Sequence, residues 1–456
     1  MNPIILQIAN KVKDIGGRAY FVGGYVRDSI LGIQSKDYDI EVFGVEFSRL
    51  KELLIKLYGV DQVDSVGSFF GVLKVKNLGI DVDISIPRKE IKTATGHRGF
   101  DVETDPNLPI EESLSRRDFT INSMAMDILD REIIDFWGGV RDLKLGILEI
   151  TNSVSFGEDP LRALRAMQFI ARFELAPSGK VIDLCAEQDL STISKERIYT
   201  EFHKLLLKGI KVGNGLRFLR STNLWKFFPE IKDLATTLQS PVWHAEGNVF
   251  THTCMVLDQA MKFRNGNLEH DAVLMFSALC HDMGKPGTTI EKDGRIVSYD
   301  HENNLAPIES FLTGMRSPQW LIDKVLVMTK YHLTPFQFLL SNTGFKPYRR
   351  LSRALDKANI DPNHLIEVVL ADQLGRIPSQ SDISWAITFM ANYEKAIKND
   401  VGEKTTVPIV NGDDIMIALN IRPGPKVGEL LKIALDLQDA DYSKEEIMRS
   451  LLSRFQ

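Results

Sequence analysis

At 456 residues, 44% of them hydrophobic, the chain is long enough to bury a large core and to hold several domains. Three cysteines, Cys185, Cys254 and Cys280, make no disulfide framework, which fits a reducing cytoplasm. Nor does any apolar run approach the roughly eighteen residues of a membrane span. The net charge of −6 weighs against RNA binding by the whole surface and leaves that role to local basic patches.

The N-terminus, MNPIILQIANKVKD, meets Lys11 and Asp14 too early for a secretory segment. In FVGGYVRDSILGIQSKDYDIE (21–41), Tyr20–Val22 and Ile40–Phe43 read as short strands joined by a helical turn from Val26 to Leu31. Gly23 and Gly24 carry no Cβ, so phosphates can approach the backbone amides, and Arg27 stands just ahead of two carboxylates. Strand side chains alternate, which puts Asp37 and Asp39 on one face. Such a pair repels unless a cation sits between them, and magnesium with substrate phosphates suits it. Phosphoryl or nucleotidyl transfer is the chemistry this pattern suggests.

GVLKVKNLGIDVDIS follows, with strands at Val72–Val75 and Ile80–Ile84 and a turn at Asn77–Gly79. Asp81 or Asp83 could complete a three-carboxylate cage with Asp37 and Asp39. In SRRDFTINSMAMD, the forked donors of Arg116 and Arg117 suit triphosphate oxygens, while Asp118 and Asn122 suit a ribose hydroxyl.

GEDPLRALRAMQFIARF reads as an amphipathic helix opened by acidic residues, with Pro160 in its first turn. Asp159 and Arg162 lie three apart and share a face. Ionised Asp accepts only, and Arg donates only. Cytosine and adenine both present an amino donor beside a ring-nitrogen acceptor, so either pairs with this couple. Uracil and guanine present the opposite order. Two buried mismatches at about 1–3 kcal/mol each would discriminate by roughly 10²–10⁴. The plain alternative is an i,i+3 ion pair on a surface helix.

Basic residues cluster at Lys195, Arg197, Lys204, Lys208, Lys211, Arg217 and Arg220, and again at Lys346, Arg349, Arg350, Arg353 and Lys357. Both are candidate RNA-backbone surfaces. Between them lie His252, the adjacent His281–Asp282 of ALCHDMGKP, and Asp372 of VVLADQLGR, all on apolar stretches that read as helices. Imidazole and carboxylate ligands admit several divalent metals. The set resembles the HD-domain metal-dependent phosphohydrolases. His301 and His332 could extend it to two metals, but as isolated histidines they are read as packed or surface residues.

GGYVRD with DYD, then RRDFTIN, EDPLRALR and KERIYTEF (195–202), in that order, resemble the bacterial-type (class II) tRNA nucleotidyltransferases. These are the CCA-adding enzymes and their bacterial poly(A) polymerase relatives, and the resemblance covers nearly the whole chain. It implies an α+β fold: a nucleotidyltransferase head with a small mixed sheet (1–150), then an all-α neck with the base-reading helix (151–240). An HD phosphohydrolase-like domain (241–376) and a helical, tRNA-gripping tail (377–456) would follow. It implies Asp37 and Asp39 as ligands of catalytic Mg²⁺, with Asp83 as the third acidic residue and Asp81 the lesser choice. Gly23, Gly24, Arg27, Arg117, Asp118, Asn122, Asp159, Arg162 and Arg165 would bind nucleotide. His252, His281, Asp282 and Asp372 would hold an unidentified divalent metal. KTATGHRGF, between Arg88 and Glu112, resembles the flexible loop needed to switch from C to A addition.

The expected function is untemplated addition or repair of the 3′ CCA of tRNA from CTP and ATP, in the cytoplasm and away from membranes. A possible HD-site phosphodiesterase or phosphatase activity accompanies it; oligomeric state is not legible. The alternatives are an A-adding or CC-adding enzyme, a poly(A) polymerase, and, from another class, an HD phosphohydrolase with an inactive head.

Overall fold

The computed structural model describes residues 2–34, 37–66, 71–76, 79–92, 100–379, 382–398, 408–438 and 442–455. Two compact units divide the chain, residues 1–227 and 228–456.

In the first unit, helix α1 (Pro3–Asp14) opens on Asn2, whose side chain accepts from the Ile4 amide, and buries Ile5, Ile8, Ala9 and Val12 along one face. Strand β1 (Arg18–Val22), helix α2 (Gly24–Ile30), strand β2 (Asp37–Phe43), helix α3 (Phe47–Tyr58) and strands β3 (Val63–Val66), β4 (Val72–Val75) and β5 (Asp81–Ser85) follow. Strands β6 (Arg88–Lys92) and β7 (Phe100–Thr104) form a separate antiparallel ribbon. Helix α4 (Ile110–Ser115), strands β8 (Ala125–Asp127) and β9 (Ile133–Ile134) and helix α5 (Gly139–Leu145) close the head.

The main sheet has the order β3-β4-β5-β2-β1-β8-β9. Its pairs are antiparallel except β2 with β5, so the sheet is mixed, as expected for the α+β class. Strand β4 has the bounds expected from sequence, while β1 and β2 run longer: β2 begins at Asp37 itself, since parallel pairing with β5 extends the ladder past the apolar run. The parallel register sets Asp37 opposite Asp81 and Asp39 opposite Asp83.

Helices α6 (Ser153–Phe156), α7 (Leu161–Phe173), α8 (Gly179–Ala186), α9 (Lys195–Lys208) and α10 (Val212–Ser221) complete this unit. Helix α7 packs against α9 and α10. Gly215 permits the close approach of α10, since a Cβ there would sit 2.5 Å from Leu205 Cδ1 and 3.0 Å from the Met167 carbonyl.

The second unit is helical: α11 (Pro229–Leu234), α12 (Val249–Ala260), α13 (Leu268–Cys280), α14 (Ala306–Gly314), α15 (Gln319–Tyr331), α16 (Thr334–Leu340), α17 (Phe345–Lys357) and α18 (Pro362–Leu374), with a short hairpin at Thr289–Lys292 and Arg295–Ser298. Helices α12, α13, α15 and α18 pack together. Helix α19 (Ser384–Lys398) packs on α16 and α17 through Phe389, which lies against Phe338 and Tyr348. Helices α20 (Gly412–Leu419), α21 (Pro425–Gln438) and α22 (Lys444–Phe455) share their own apolar cluster of Val410, Ile415, Leu430, Ala434, Ile447 and Leu451.

A cationic nucleotide cleft and a buried histidine cluster

The head cleft, about 500 Å³, is lined by Asp39 and by Gly23, Gly24, Arg27, Arg117, Asp118, Asn122, Asp159, Arg162 and Arg165, the nucleotide-binding residues that the resemblance implies. Gln168, Arg172, Arg197, Lys204 and Lys208 join them. Four turns and helices thus converge, although the residues span nearly two hundred positions.

Gly23 makes the first turn. Its φ of +65° favours glycine, and a Cβ there would lie 2.7 Å from Arg117 Nη1. Arg117 is half-buried in the cleft wall, and its buried Nε has no hydrogen-bond partner among the described residues. Burial lowers its pKa, against the Glu41 carboxylate, which raises it. An incoming anion would satisfy this donor.

Arg27 is structural in its contacts. It is 4% exposed, donates to Asp28 Oδ1 at 2.8 Å and to Asn122 Oδ1 at 2.6 Å, and lies over the Phe169 and Phe173 rings. Asn122 in turn donates to Asp118 Oδ1 at 3.0 Å, and Arg165 donates to Asp118 Oδ2 at 2.6 Å. Burial would raise the Asp118 pKa, but Arg165 and Asn122 override it and hold it below the usual range. The Arg27–Asn122–Asp118–Arg165 chain therefore fixes an ionised acceptor at the cleft wall. Arg116 does not line the cleft; it bonds the Ser113 carbonyl and Glu41 instead.

Asp37, Asp39 and Asp83 share the sheet face predicted for them, but their oxygens do not converge within 4.8 Å as a closed cage would require. Asp37 stands two residues along the strand from Asp39, and Lys74 holds Asp83 Oδ2 at 3.0 Å. Removal from bulk water raises the Asp39 pKa; Asp83 and Asp37 add to it, while Arg117 and Lys74 oppose it. A divalent cation fits this carboxylate group, because it would relieve that repulsion. Nothing is described of the Asp81 side chain, and residues 93–99 of the KTATGHRGF segment lie outside the described residues.

Helix α7 begins one turn later than its acidic opening, with Pro160 as its cap. Asp159 caps the Leu161 amide at 3.1 Å and accepts from Arg197 Nη2 at 2.7 Å. Arg162 donates to the Ser155 and Arg116 carbonyls, each at 2.7 Å, which sets its guanidinium at the cleft. The sequence presents Arg197 as a backbone-binding cation. Its place in the cleft is not legible there, because only tertiary packing of α9 on α7 brings it to Asp159. Arg197, Glu201, Lys204 and Lys208 recur at helical spacing, which is the signal that was available. Lys195, Lys211, Arg217 and Arg220 remain exposed.

In the second unit, His252, His281, Asp282 and Asp372 meet as predicted. His252 Nε2 lies 2.9 Å from Asp372 Oδ1 and 3.4 Å from His281 Nε2, and His281 Nε2 lies 3.2 Å from Asp282 Oδ2. His301 and His332 are buried, as a packed reading has it, yet they turn Nε2 toward Asp282 Oδ1 at 3.2 and 4.0 Å. The Nδ1 atoms of His281, His301 and His332 face the carbonyls of Ala278, Ser298 and Thr329 at 2.9, 2.9 and 2.6 Å. A carbonyl only accepts, so each Nδ1 carries a proton, and the Nε2 of the neutral ring offers a lone pair to the cluster. Lone pairs and carboxylate oxygens that face one another fit a cation.

Burial alone would raise both carboxyl pKa values. His281 and Lys285 hold Asp282, and Arg376 and His252 hold Asp372, well below the usual range. Burial lowers His332 to about 3, keeping it neutral. His244 and Glu246, which the sequence reading did not single out, back His252: its Nδ1 lies 3.0 Å from Glu246 Oε1. Arg349 of the second basic stretch is not a surface cation, being 4% exposed and bonded to the Ala396 carbonyl.

The head sheet, its carboxylate face and the cationic cleft define a nucleotidyltransferase. Residues 19–149 match the family described as "Poly A polymerase head domain", and residues 180–234 the one described as "Probable RNA and SrmB- binding site of polymerase A". The chain is 31% identical over 382 residues to a "Multifunctional CCA protein" of Xanthomonas campestris, covering 80% of this chain and 86% of that one. It is 33% identical over 343 residues to that of Xylella fastidiosa, covering 73% and 78%. Among solved structures, the Bacillus stearothermophilus CCA-adding enzyme in complex with CTP shares the fold at a TM-score of 0.61 and 22% identity, covering 100% and 98% of the two chains. The Thermotoga maritima CCA-adding enzyme complexed with tRNA does so at 0.56 and 20%, covering 100% and 97%. The chain belongs to the class II tRNA nucleotidyltransferase and poly(A) polymerase family.

Proposed function

We propose that this enzyme adds or repairs the 3′-terminal CCA of tRNA, using CTP and ATP without a nucleic-acid template. The observation that carries the reading is the cleft in which Asp39 of the carboxylate face, Arg117, Asp159 and Arg162 meet. Its relatives are multifunctional CCA proteins over most of both chains. Asp37, Asp39 and Asp83 would hold Mg²⁺, which when bound supplies polarisation of the RNA 3′-hydroxyl and charge neutralisation on the departing pyrophosphate. Arg117, Lys204 and Lys208 place cations for the triphosphate. Asp118, held ionised by Arg165, accepts from the ribose hydroxyl. Asp159 accepts from the exocyclic amine shared by cytosine and adenine, and Arg162 donates to the adjacent ring nitrogen. The buried free thiols Cys185, Cys254 and Cys280 support a cytoplasmic location.

Three labelled tRNAs, ending before CCA, after C and after CC, are extended with Mg²⁺ and each NTP. Stepwise C, C, A incorporation that then stops is expected. Activity on the CC end alone would make this an A-adding enzyme, arrest after the second C a CC-adding one, and long A tracts a poly(A) polymerase.

A second activity is proposed for the histidine cluster, metal-dependent hydrolysis of a phosphoester such as a 2′,3′-cyclic phosphate. A cleft of about 250 Å³ opens on Asp282, His301, His332 and Asp372, with Lys285 and Arg376 beside them for an anion. Among four-histidine clusters this donor set suits transition metals better than magnesium. If His281→Ala and Asp282→Ala hydrolyse 2′,3′-cyclic nucleotides as fast as the parent, the assignment is wrong.

A further inference from the structure

A second group of ligands lies in the same helical unit, apart from the residues assigned above. His270 occupies the first turn of α13, and His364 and Glu367 the first turns of α18, three apart and on one face. One ligand atom from each lies within 4.8 Å of the others. His270 Nε2 is 2.9 Å from Glu367 Oε2, and the two imidazole rings stack 4.1 Å apart, 11° from parallel.

Two features set this group apart from an ordinary ion pair. His364 is 8% exposed, and its Nε2 is buried without a hydrogen-bond partner among the described residues. A buried nitrogen left so costs about 1–3 kcal/mol, and an ordinary His–Glu pair gives no reason to place a second imidazole against the first. The protonation states also suit ligation. Burial and the neighbouring His270 lower the His364 pKa to about 4, leaving the ring neutral. The positive ends of both helices disfavour imidazolium in the same direction. Burial raises the Glu367 pKa, so its carboxylate gains from an added cation.

We propose that His270, His364 and Glu367 form a further divalent-metal site, best suited to Zn²⁺. Two imidazoles and one carboxylate are a ligand set with an open fourth position. His270 and Glu367 are half-buried, so water can enter there. Imidazole nitrogen excludes Mg²⁺ and Ca²⁺ as the preferred ions.

The placement gives the ion a structural consequence. Helix α13 ends at Cys280, next to His281 and Asp282, and α18 carries Asp372. The two helices run side by side with their N-terminal ends at this site and their C-terminal ends at the histidine cluster. At 1.5 Å per residue, five to twelve residues separate the two places by about 8–18 Å along the helices. A metal here would pin the helix pair that positions the distant ligands.

The test is Zn²⁺ stoichiometry of the full chain by equilibrium dialysis and elemental analysis. The variants are His364→Gln, Glu367→Gln, and each combined with His281→Gln. Glu367 is partly exposed, so Glu367→Gln keeps the test open even if His364→Gln fails to fold. Each variant is expected to bind one Zn²⁺ fewer per chain than its parent, in both backgrounds. The d–d absorption of the Co²⁺-loaded wild type should fall by one ion's share in Glu367→Gln at unchanged far-UV dichroism. Equal stoichiometry and equal Co²⁺ spectra in parent and Glu367→Gln would overturn the proposal and leave an ion pair beside a stacked histidine.

Discussion

Asp159 at the start of α7 accepts a hydrogen bond from Arg197 on α9 at 2.7 Å, across 38 residues of sequence. Asp159 was expected to work with Arg162, its neighbour in sequence. The structure gives it a second cation, which orients the carboxylate without occupying all of its lone pairs. Arg197 is therefore a positioning residue for the base-reading edge.

Arg197→Met should leave the melting temperature nearly unchanged, since a half-exposed ion pair contributes about 0–1 kcal/mol. Discrimination of CTP and ATP against UTP and GTP should fall, by roughly 5–150-fold for one lost orienting bond. Misincorporation assays with the four nucleotides check this. Unaltered fidelity would mean that Asp159 needs no support.

Asp39→Asn should cost roughly 10²–10⁴ in extension rate, because a metal ligand is lost. Its effect on stability runs the other way. The folded pKa of Asp39 is raised above its ordinary 3.8, so the native state binds more protons than the unfolded state between the two values. Wild type thus loses stability as pH rises through that window, and Asp39→Asn does not. In metal-free buffer the melting temperature of Asp39→Asn relative to wild type should rise with pH and then level off. A difference that stays flat would show Asp39 to be unperturbed.

Gly23→Ala combines a φ of +65° with a Cβ placed 2.7 Å from Arg117 Nη1. Backbone strain of this kind costs about 1–3 kcal/mol. Displacing Arg117 by about 1 Å is expected to lower kcat/KM for either nucleotide by about 10²-fold. Arg117→Lys should reproduce the kinetic loss without the drop in melting temperature.

Arg27→Ala removes the cation that holds buried Asp28 and the carbonyl oxygen of Asn122. Arg172, 3.7 Å from Asp28 Oδ2, is then its remaining cation, so the head should lose about 1–3 kcal/mol. Denaturant unfolding measures it. A mild loss of stability with a large rise in nucleotide KM would instead make Arg27 a direct ligand contact.

His301→Gln and His332→Gln separate one-metal from two-metal chemistry in the second unit. Each should reduce hydrolysis of 2′,3′-cyclic nucleotides by roughly 10²–10⁴ while CCA addition continues at the parent rate. Full hydrolysis in both variants would restrict the site to His252, His281, Asp282 and Asp372.

Local chemistry was legible wherever neighbouring residues act together. The Gly23–Gly24 turn, the alternation of Asp37 and Asp39, and the adjacency of His281 and Asp282 are properties of a few consecutive residues, and the structure displays all three. The roles of single charged residues were less legible. Arg349 looks like a surface cation in sequence and Arg27 like a nucleotide contact, yet both are buried, because nothing local records which partner neutralises them. His301 and His332 carried no signal of their own; each is an isolated histidine until folding turns its Nε2 toward Asp282.

By itself, then, the sequence determined the family, the α+β class and which residues would line the head cleft and the histidine cluster. Turn, strand and helix periodicities are short-range, and the ordered motifs carry them. Tertiary structure alone decided the partners: Arg197 with Asp159, Arg165 with Asp118, Lys74 with Asp83. Charges act through space over a few ångströms, and only the packed chain says which residues, tens of positions apart, come that close.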